Sequence, residues 1–458
     1  MDSQTIVAPM TPAGVSAVAA LRVSGTRVRD VVRRLFGEKH ASALEPRKAS
    51  LGTARDPQTG KVIDSLLYLF FEGPNSYTGE DVLELYPHGN PLIVRDLLQA
   101  IRGIEGVRLA EPGEFTRRAF LNGKMDLTQA ESVADVIHSA NRAELENAHR
   151  LLSGALSKKI ATLAAQVKDI SARLELDVDF AEEEADPDFA GWETRFVSVR
   201  ESIRQILNSF HGKASLSRLP LAVLYGAPNA GKSSLVNALL GEDRVLVSNV
   251  PGTTRDFVEV RLFLPGGEVR LVDTAGIADR ATDELDALSM KKSKEILEEA
   301  DLKILVVDGV ASENVIASTQ CEAIQPDVVV YSKSDLRAVT CPNEPARDPN
   351  TVPATDALNI SSKTGEGLAA LKDIMNAALF KENANAEDLW ITSEREKACL
   401  EDALAGVDRV LDLLKSNPAV ELLAFEMQLV RRALQSITGE ISSEDILQSI
   451  FAGFCIGK

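Results

Sequence analysis

At 458 residues with an apolar fraction of 45%, the chain has material for about three domains, each with its own core. A net charge of −18 excludes a protein that coats nucleic acid by charge alone, while leaving room for a local basic patch. The four cysteines, Cys321, Cys341, Cys399 and Cys455, show no C-x-x-C spacing and no histidine cluster, which argues against a disulfide framework or zinc site and for reduced thiols.

The opening "MDSQTIVAPMTPAG" lacks the basic and apolar segments of a signal peptide, and no run of about 18 apolar residues exists to cross a bilayer, so a cytoplasmic protein with no membrane partner is expected. Residues 1–118 read as mixed α+β. Strand-like runs are "TIVAPM", "VSAVAALRVSG", "SLLYLFF" and "DVLELY"; helix-like runs are "VRDVVRRLFG" and "PLIVRDLLQAIRGI". Residues 119–215 turn helical, with Leu127, Ala130, Ala134 and Ile137 at steps of three and four, then Leu152, Leu156, Ile160, Leu163, Val167, Ile170 and Leu174. The acidic run "DVDFAEEEADPD" ends that helix with Pro187 as breaker, and reads as a solvated loop or a cation site.

Residues 216–380 alternate strand and helix, the mark of a parallel sheet with crossover helices, through "LPLAVLYG", "VRLVDTAG", "LKILVVDG" and "VVVYSKSD". Residues 381–458 return to helix. Leu400, Leu404, Val407 and Leu411 form one stripe, a second helix covers about 419–437, and "ISSEDILQSIF" reads as a last helix capped by Ser442 or Ser443. The two amphipathic segments flanking the α/β stretch each need a cover, and packing them on each other is the simplest one. One discontinuous all-α domain with the α/β domain inserted is therefore expected. In the ending "FCIGK", Cys455 has the place of a prenylated cysteine, but Gly457 and Lys458 do not suit that signal. The tail is then core or site.

"GAPNAGKSS", Gly226 to Ser234, fits the P-loop pattern after a strand and before a helix. Its backbone and Asn229, Ala230, Gly231, Lys232, Ser233 and Ser234 are expected on nucleotide phosphates, with Lys232 as a point charge and Ser233 on Mg²⁺. Ser248, Asn249, Val250, Pro251, Gly252, Thr253 and Thr254 form a switch stretch, Thr254 offering a hydroxyl to Mg²⁺. Asp273, Thr274, Ala275 and Gly276 read as the strand end that holds a Mg²⁺-bound water and donates an N–H to the γ-phosphate. Ser332, Lys333, Ser334 and Asp335 end another strand, where the Asp335 carboxylate accepts from N1–H and the 2-amino group of guanine, and Ser361, Ser362 and Lys363 lie beneath the base. A Ras-like α/β P-loop GTPase domain binding GTP and GDP is expected. Two departures stand out. Ser332 replaces the Asn of N-K-x-D, with the loss of one contact to the base or the P-loop as one outcome and water-mediated support without loss as the other. Ile277 stands where Ras has its water-orienting Gln, which leaves Asp279, Asp283, Glu284 and Asp286 as acids downstream.

With "GPNSYTGEDVLEL", "PGEFTRRAFLNGKMDL", "NAGKSS", "PGTTRD", "DTAG" and "FCIGK" in this order, the chain resembles the MnmE (TrmE) family of tRNA-modification GTPases almost end to end. The resemblance implies an α+β N-terminal folate-binding domain that forms a homodimer, and a flavoprotein partner, MnmG, carrying FAD. It implies an aminomethyl or carboxymethylaminomethyl group installed on C5 of the wobble uridine (U34) of certain tRNAs. The carbon would come from 5,10-methylene- or 5-formyl-tetrahydrofolate. It implies K⁺ on Asn229, Ser248, Val250 and Thr253, and Asp286 as the water-positioning acid with Glu284 as fallback. Folate is implied at Arg22, Glu84, Lys124 and Lys458, with Cys455 nearby as a nucleophile or a buried structural thiol. A ribosome-assembly GTPase of the Era/Der type is the alternative.

Overall fold

The computed structural model describes residues 4–179, 189–211, 219–241, 258–273, 295–309, 325–336, 356–380, 389–416 and 420–458. The chain forms two compact units: Met1–His138, Asn147–Gly212 and Leu389–Lys458 make the first, and Ser139–Glu146 and Lys213–Asp388 the second.

The first unit opens with β1 (Thr5–Pro9), β2 (Ser16–Val18), β3 (Leu21–Ser24), β4 (Ser50–Arg55), β5 (Val62–Phe71), β6 (Val82–Tyr86), β7 (His88–Gly89) and β8 (Val107–Leu109). Six of these form a sheet in the order β4-β5-β6-β3-β1-β8, parallel only between β1 and β8, while β2 and β7 pair separately. The strands alternate with period two. Val7, Leu21, Val23, Leu83 and Leu85 share a core with Val28, Val31, Val32 and Leu35 of the helix Val28–Phe36 and with Leu97 and Ile101 of the helix Pro91–Arg102. The intervening residues turn to the opposite face, where Ile6 and Ala8 pack with Phe115 and the register pairs Arg22 with Glu84.

The rest of this unit is helical. The helices Ala155–Asp179, Phe189–Asn208, Glu394–Leu414 and Val420–Thr438 enclose Leu156, Ile160, Leu163, Val167, Phe196, Val199, Ile203, Leu400, Val407, Met427, Val430 and Leu434. The two sequence-distant segments thus cover each other, as the amphipathic stripes require. At the junction around Ile391, His211 N–H donates to the Ile391 C=O at 3.0 Å. The Asn147 side chain bonds both the N–H and the C=O of Trp390, at 2.9 and 3.0 Å. The last helix, Glu444–Ala452, is capped by Ser443, whose hydroxyl accepts from Ile446 N–H, and it packs Leu447, Phe451 and Phe454 on Leu127, Ala130 and Val133.

The second unit holds β9 (Leu221–Tyr225), β10 (Val258–Leu264), β11 (Gly267–Asp273), β12 (Leu302–Asp308), β13 (Val328–Ser332) and β14 (Asp356–Asn359). Their order is β10-β11-β9-β12-β13-β14, antiparallel only between β10 and β11. The helices Lys232–Leu239 and Leu368–Leu379 supply Leu235, Val236, Leu239, Leu371 and Met375 to a core with Ala222, Leu224, Ile304, Val306 and Val330.

Several expectations shift. "VSAVAALRVSG" is two strands broken at Ala19–Ala20, and β4, β8 and the helix Phe189–Asn208 carry no clear signal in the sequence. The stripe that includes Ile137 is displaced: Val133 is buried and Ile137 is 44% exposed. The long helix runs on to Asp179, so the acidic run begins inside it; residues 180–188 lie outside the described residues.

Beneath the first sheet lies an ion network. Arg108 makes two bonds to the Glu114 carboxylate, at 2.6 and 2.7 Å, and Arg118 bonds Glu114 at 2.8 Å and Glu80 at 3.0 Å. Burial pushes the Glu114 carboxyl up, but bonds from Arg108, from the Glu111 N–H and from Arg118 outweigh it and hold the group below its usual range. A carboxylate so lowered contributes stability above the unfolded-state value, roughly pH 4.3, and loses it as pH falls through the lower folded value. Glu114→Gln should therefore lower stability at pH 7 by about 3 kcal/mol in urea unfolding and flatten the acid limb of stability against pH. An unchanged acid limb would remove Glu114 from this role.

Candidate functional site

In the second unit the chain leaves β9 at Gly226, whose φ is +144° and where a Cβ would stand 2.2 Å from the Val306 carbonyl oxygen, so only glycine fits. The loop then turns at Asn229, with φ 61°, and enters the helix Lys232–Leu239, whose first N–H groups have no partner within the helix and suit an anion. Lys232 is buried and its Nζ donates to the carbonyls of Gly226 and Ala227 at 2.9 and 2.8 Å. Ser233 Oγ donates to Asp273 Oδ2 at 2.6 Å, which brings together the hydroxyl and carboxylate oxygens that a hard divalent cation takes as ligands or through water.

The loop after β13 closes on this one. Ser332 is 3% exposed, and its Oγ donates to the Ala230 carbonyl at 2.6 Å. Lys333 Nζ bonds Asp308 Oδ2 at 2.6 Å and the Asn229 carbonyl at 3.2 Å. Asp335 is exposed and its Oδ1 accepts from Ser361 Oγ at 2.8 Å, while Ser361 Oγ accepts from the N–H groups of Lys363 and Thr364. Ser362 sits in the same turn. Of the residues implied for K⁺ only Asn229 is described. Ser248, Asn249, Val250, Pro251, Gly252, Thr253, Thr254, Thr274, Ala275, Gly276, Glu284 and Asp286 lie outside the described residues, as do Cys321 and Cys341.

In the first unit, strand register brings Arg22 and Glu84 together. Arg22 Nε and Nη2 both donate to Glu84 Oε1, at 3.1 and 2.9 Å, and Tyr86 donates its hydroxyl to Glu84 Oε2. Burial, then the Glu84 bond and charge, push the Tyr86 phenol up to about 12. The Arg22 guanidinium lies over the Tyr77 ring at 4.8 Å, and its Nη1 is buried with no partner among the described residues. Alternation alone would turn Arg22 to solvent; instead the residue is 9% exposed. Lys458 is close enough to feel this pair: burial and then Arg22 lower its ammonium pKa, against Glu84 and Cys455, which raise it. The tail is fixed by Phe115 N–H donating to the Lys458 C=O at 3.2 Å, and by Gly457, at φ 103°, where a Cβ would meet the Pro9 carbonyl oxygen at 2.3 Å. Lys124 is exposed and spends its Nζ on the Pro74 carbonyl at 2.9 Å; no bond joins it to Arg22 or Glu84.

Cys455 is exposed, so the buried-thiol reading of it falls. Its Sγ stands 3.9 Å from His138 Nε2, a neighbour from the end of the helix Leu127–His138 that no local sequence signal announces. The N-K-x-D comparison points residue 332 toward the base or the P-loop, and Ser332 keeps a P-loop contact, to an acceptor 102 residues away.

Known proteins resemble this chain along its whole length. A family model described as the MnmE helical domain matches residues 127–455, and one described as the GTP-binding protein TrmE N-terminus matches residues 5–124. A tRNA modification GTPase MnmE from Syntrophus aciditrophicus is 38% identical over 100% of both chains, and one from Methylobacterium radiotolerans is also 38% identical over 100% of both. The G domain of the T. maritima FeoB iron transporter is 26% identical and covers 35% of this chain and 99% of its own, at a TM-score of 0.27, too low for a statement about fold.

On the expectation that the Asp335 carboxylate accepts from guanine, an Asp335→Asn exchange would reverse one donor–acceptor contact to the base. It should weaken GDP binding about tenfold or more and raise affinity for xanthosine diphosphate, read by fluorescence titration. Unchanged preference would detach Asp335 from the base.

Proposed function

The chain belongs to the MnmE family and is a GTP hydrolase, and we propose that its GTP turnover drives modification of tRNA at C5 of the wobble uridine. In this reading the chain works as a cytoplasmic homodimer with the flavoprotein MnmG, which carries FAD, and adds an aminomethyl or carboxymethylaminomethyl group whose carbon comes from 5,10-methylene- or 5-formyl-tetrahydrofolate. The match over the whole chain favours it over a ribosome-assembly GTPase.

The observation that carries the folate reading is the Arg22–Glu84 pair with Lys458 beside it. Each carboxylate oxygen has two acceptor sites; the two bonds from Arg22 fill Oε1 and the Tyr86 hydroxyl takes one site on Oε2, so Glu84 keeps one acceptor site, for a single N–H of the ligand. The buried Arg22 Nη1 lacks an acceptor among the described residues, and an oxygen of the ligand would supply one. Lys458 adds positive charge for a carboxylate, as Lys124 would at longer range. Cys455 acts on the one-carbon chemistry, with its exposed thiol in support.

For hydrolysis, Lys232 and the loop N–H groups orient the phosphates. Ser233 and Thr254 would hold Mg²⁺, with Asp273 fixing one of its waters, and Asn229, Ser248, Val250 and Thr253 would hold K⁺. These ions supply charge neutralisation at the transferring phosphoryl group. Asp286 positions the water. Dimerisation has support from the exposed apolar side chains Val15 and Val18 at β2 and Leu92 at the start of the helix Pro91–Arg102. Among the described residues no helix is long and apolar enough to cross a membrane.

Wobble uridine from cells lacking this protein should have lost its C5 substituent by mass spectrometry; an unchanged nucleoside would defeat the tRNA reading. Removing Lys458, or Arg22→Gln, should abolish tetrahydrofolate binding in calorimetry while GTP hydrolysis persists. Hydrolysis itself should be faster in KCl than in NaCl, and equal rates would take Asn229 out of a cation site.

A further inference from the structure

We propose that this chain recognises guanine without any hydrogen bond from residue 332 to N7, so that nucleotides altered at N7 are accepted as readily as GDP. The inference rests on residues 332–335 being the base-reading loop, and it goes further by naming which contact the Asn-to-Ser departure removes.

Ser332 ends β13 with its side chain shut from solvent. Its Oγ lies 2.6 Å from the Ala230 carbonyl oxygen and 3.3 Å from that of Val307. Both are acceptors. A hydroxyl carries one proton, so that proton belongs to the backbone, and what the oxygen has left is lone-pair capacity. Away from its N1 and 2-amino edge, guanine presents N7 and O6, which are also acceptors. Oxygen lone pair facing nitrogen lone pair makes no bond. An amide at this position has two N–H donors and could serve the P-loop and N7 together; the serine serves one of them.

The geometry shows which of the two is retained. The Ala230 carbonyl sits inside the phosphate-binding loop, and the neighbouring Gly231 approaches closely enough that a Cβ on it would stand 3.3 Å from Ser332 Oγ. The mechanical link between base loop and phosphate loop is kept, and the reading of the N7 edge is given up. Discrimination of guanine then falls to the Asp335 carboxylate, held by Ser361.

Fluorescence titration of the full chain with GDP and with 7-deaza-GDP, in Mg²⁺, tests this. The wild-type chain is expected to bind the two within about twofold. Ser332→Asn restores a donor and should prefer GDP by about three- to tenfold. Ser332→Ala loses only the tether and should weaken both nucleotides alike, leaving their ratio unchanged. A fivefold or larger loss on 7-deaza-GDP in the wild-type chain overturns the proposal, and should Ser332→Asn fail to fold, that wild-type ratio decides alone. Failure to bind GDP at all would overturn the base-loop reading as well, and is distinct from a loss confined to the deaza compound.

Discussion

A guanidinium withdrawn from water must have a carboxylate beside it, because stripping one partner from a buried pair costs about 3–5 kcal/mol. The first unit is organised by that constraint. Arg22 meets Glu84 from the next strand, Arg118 meets Glu114 and Glu80, and Arg395 meets Glu131 with two bonds while also donating to the carbonyls of Ser436 and Ile437. Several of these pairs join segments far apart in the chain, so the sheet, the helix Leu127–His138 and the helical core are held in register by charges that have few other places to go. Apolar replacements of the same volume could match them for stability; what the pairs add is a demand for one arrangement.

The same constraint separates what the sequence makes legible from what it hides. Helix stripes such as Leu156, Ile160, Leu163 and Val167 are readable because the rule that makes them is local, and all four are buried. The glycines and Lys232 of the P-loop are readable for the same reason. Arg22 was legible as a residue on the face opposite Leu21 and Val23, but its burial was not, since Glu84 arrives from 62 residues away. β4 carries Gly52 and polar residues, and β8 has three residues, so neither offers enough alternation to be seen. The thiol of Cys455 and the ring of His138 meet only because the last helix packs on Leu127 and Ala130.

In the second unit the decisive quantity is the number of protons on one side chain. Backbone carbonyls at Gly226, Ala227, Asn229 and Ala230 all accept from side chains, of Lys232, Lys333 and Ser332. The loop proposed to meet phosphate with its N–H groups is thus braced through its C=O groups. Each brace commits a donor, and a serine has none to spare.

The junction at which Phe210 and His211 meet Ile391 has a consequence for folding history. A polypeptide that departs from and returns to neighbouring points treats everything between them as one closed loop. The entropy of closing such a loop grows only logarithmically, by about 0.6 kcal/mol per doubling of length. Lengthening a loop of about five or six residues to an interruption of this size, about five doublings, costs the helices roughly 3 kcal/mol, a modest increment for so long an insert, so a whole catalytic cassette is tolerated there by its host.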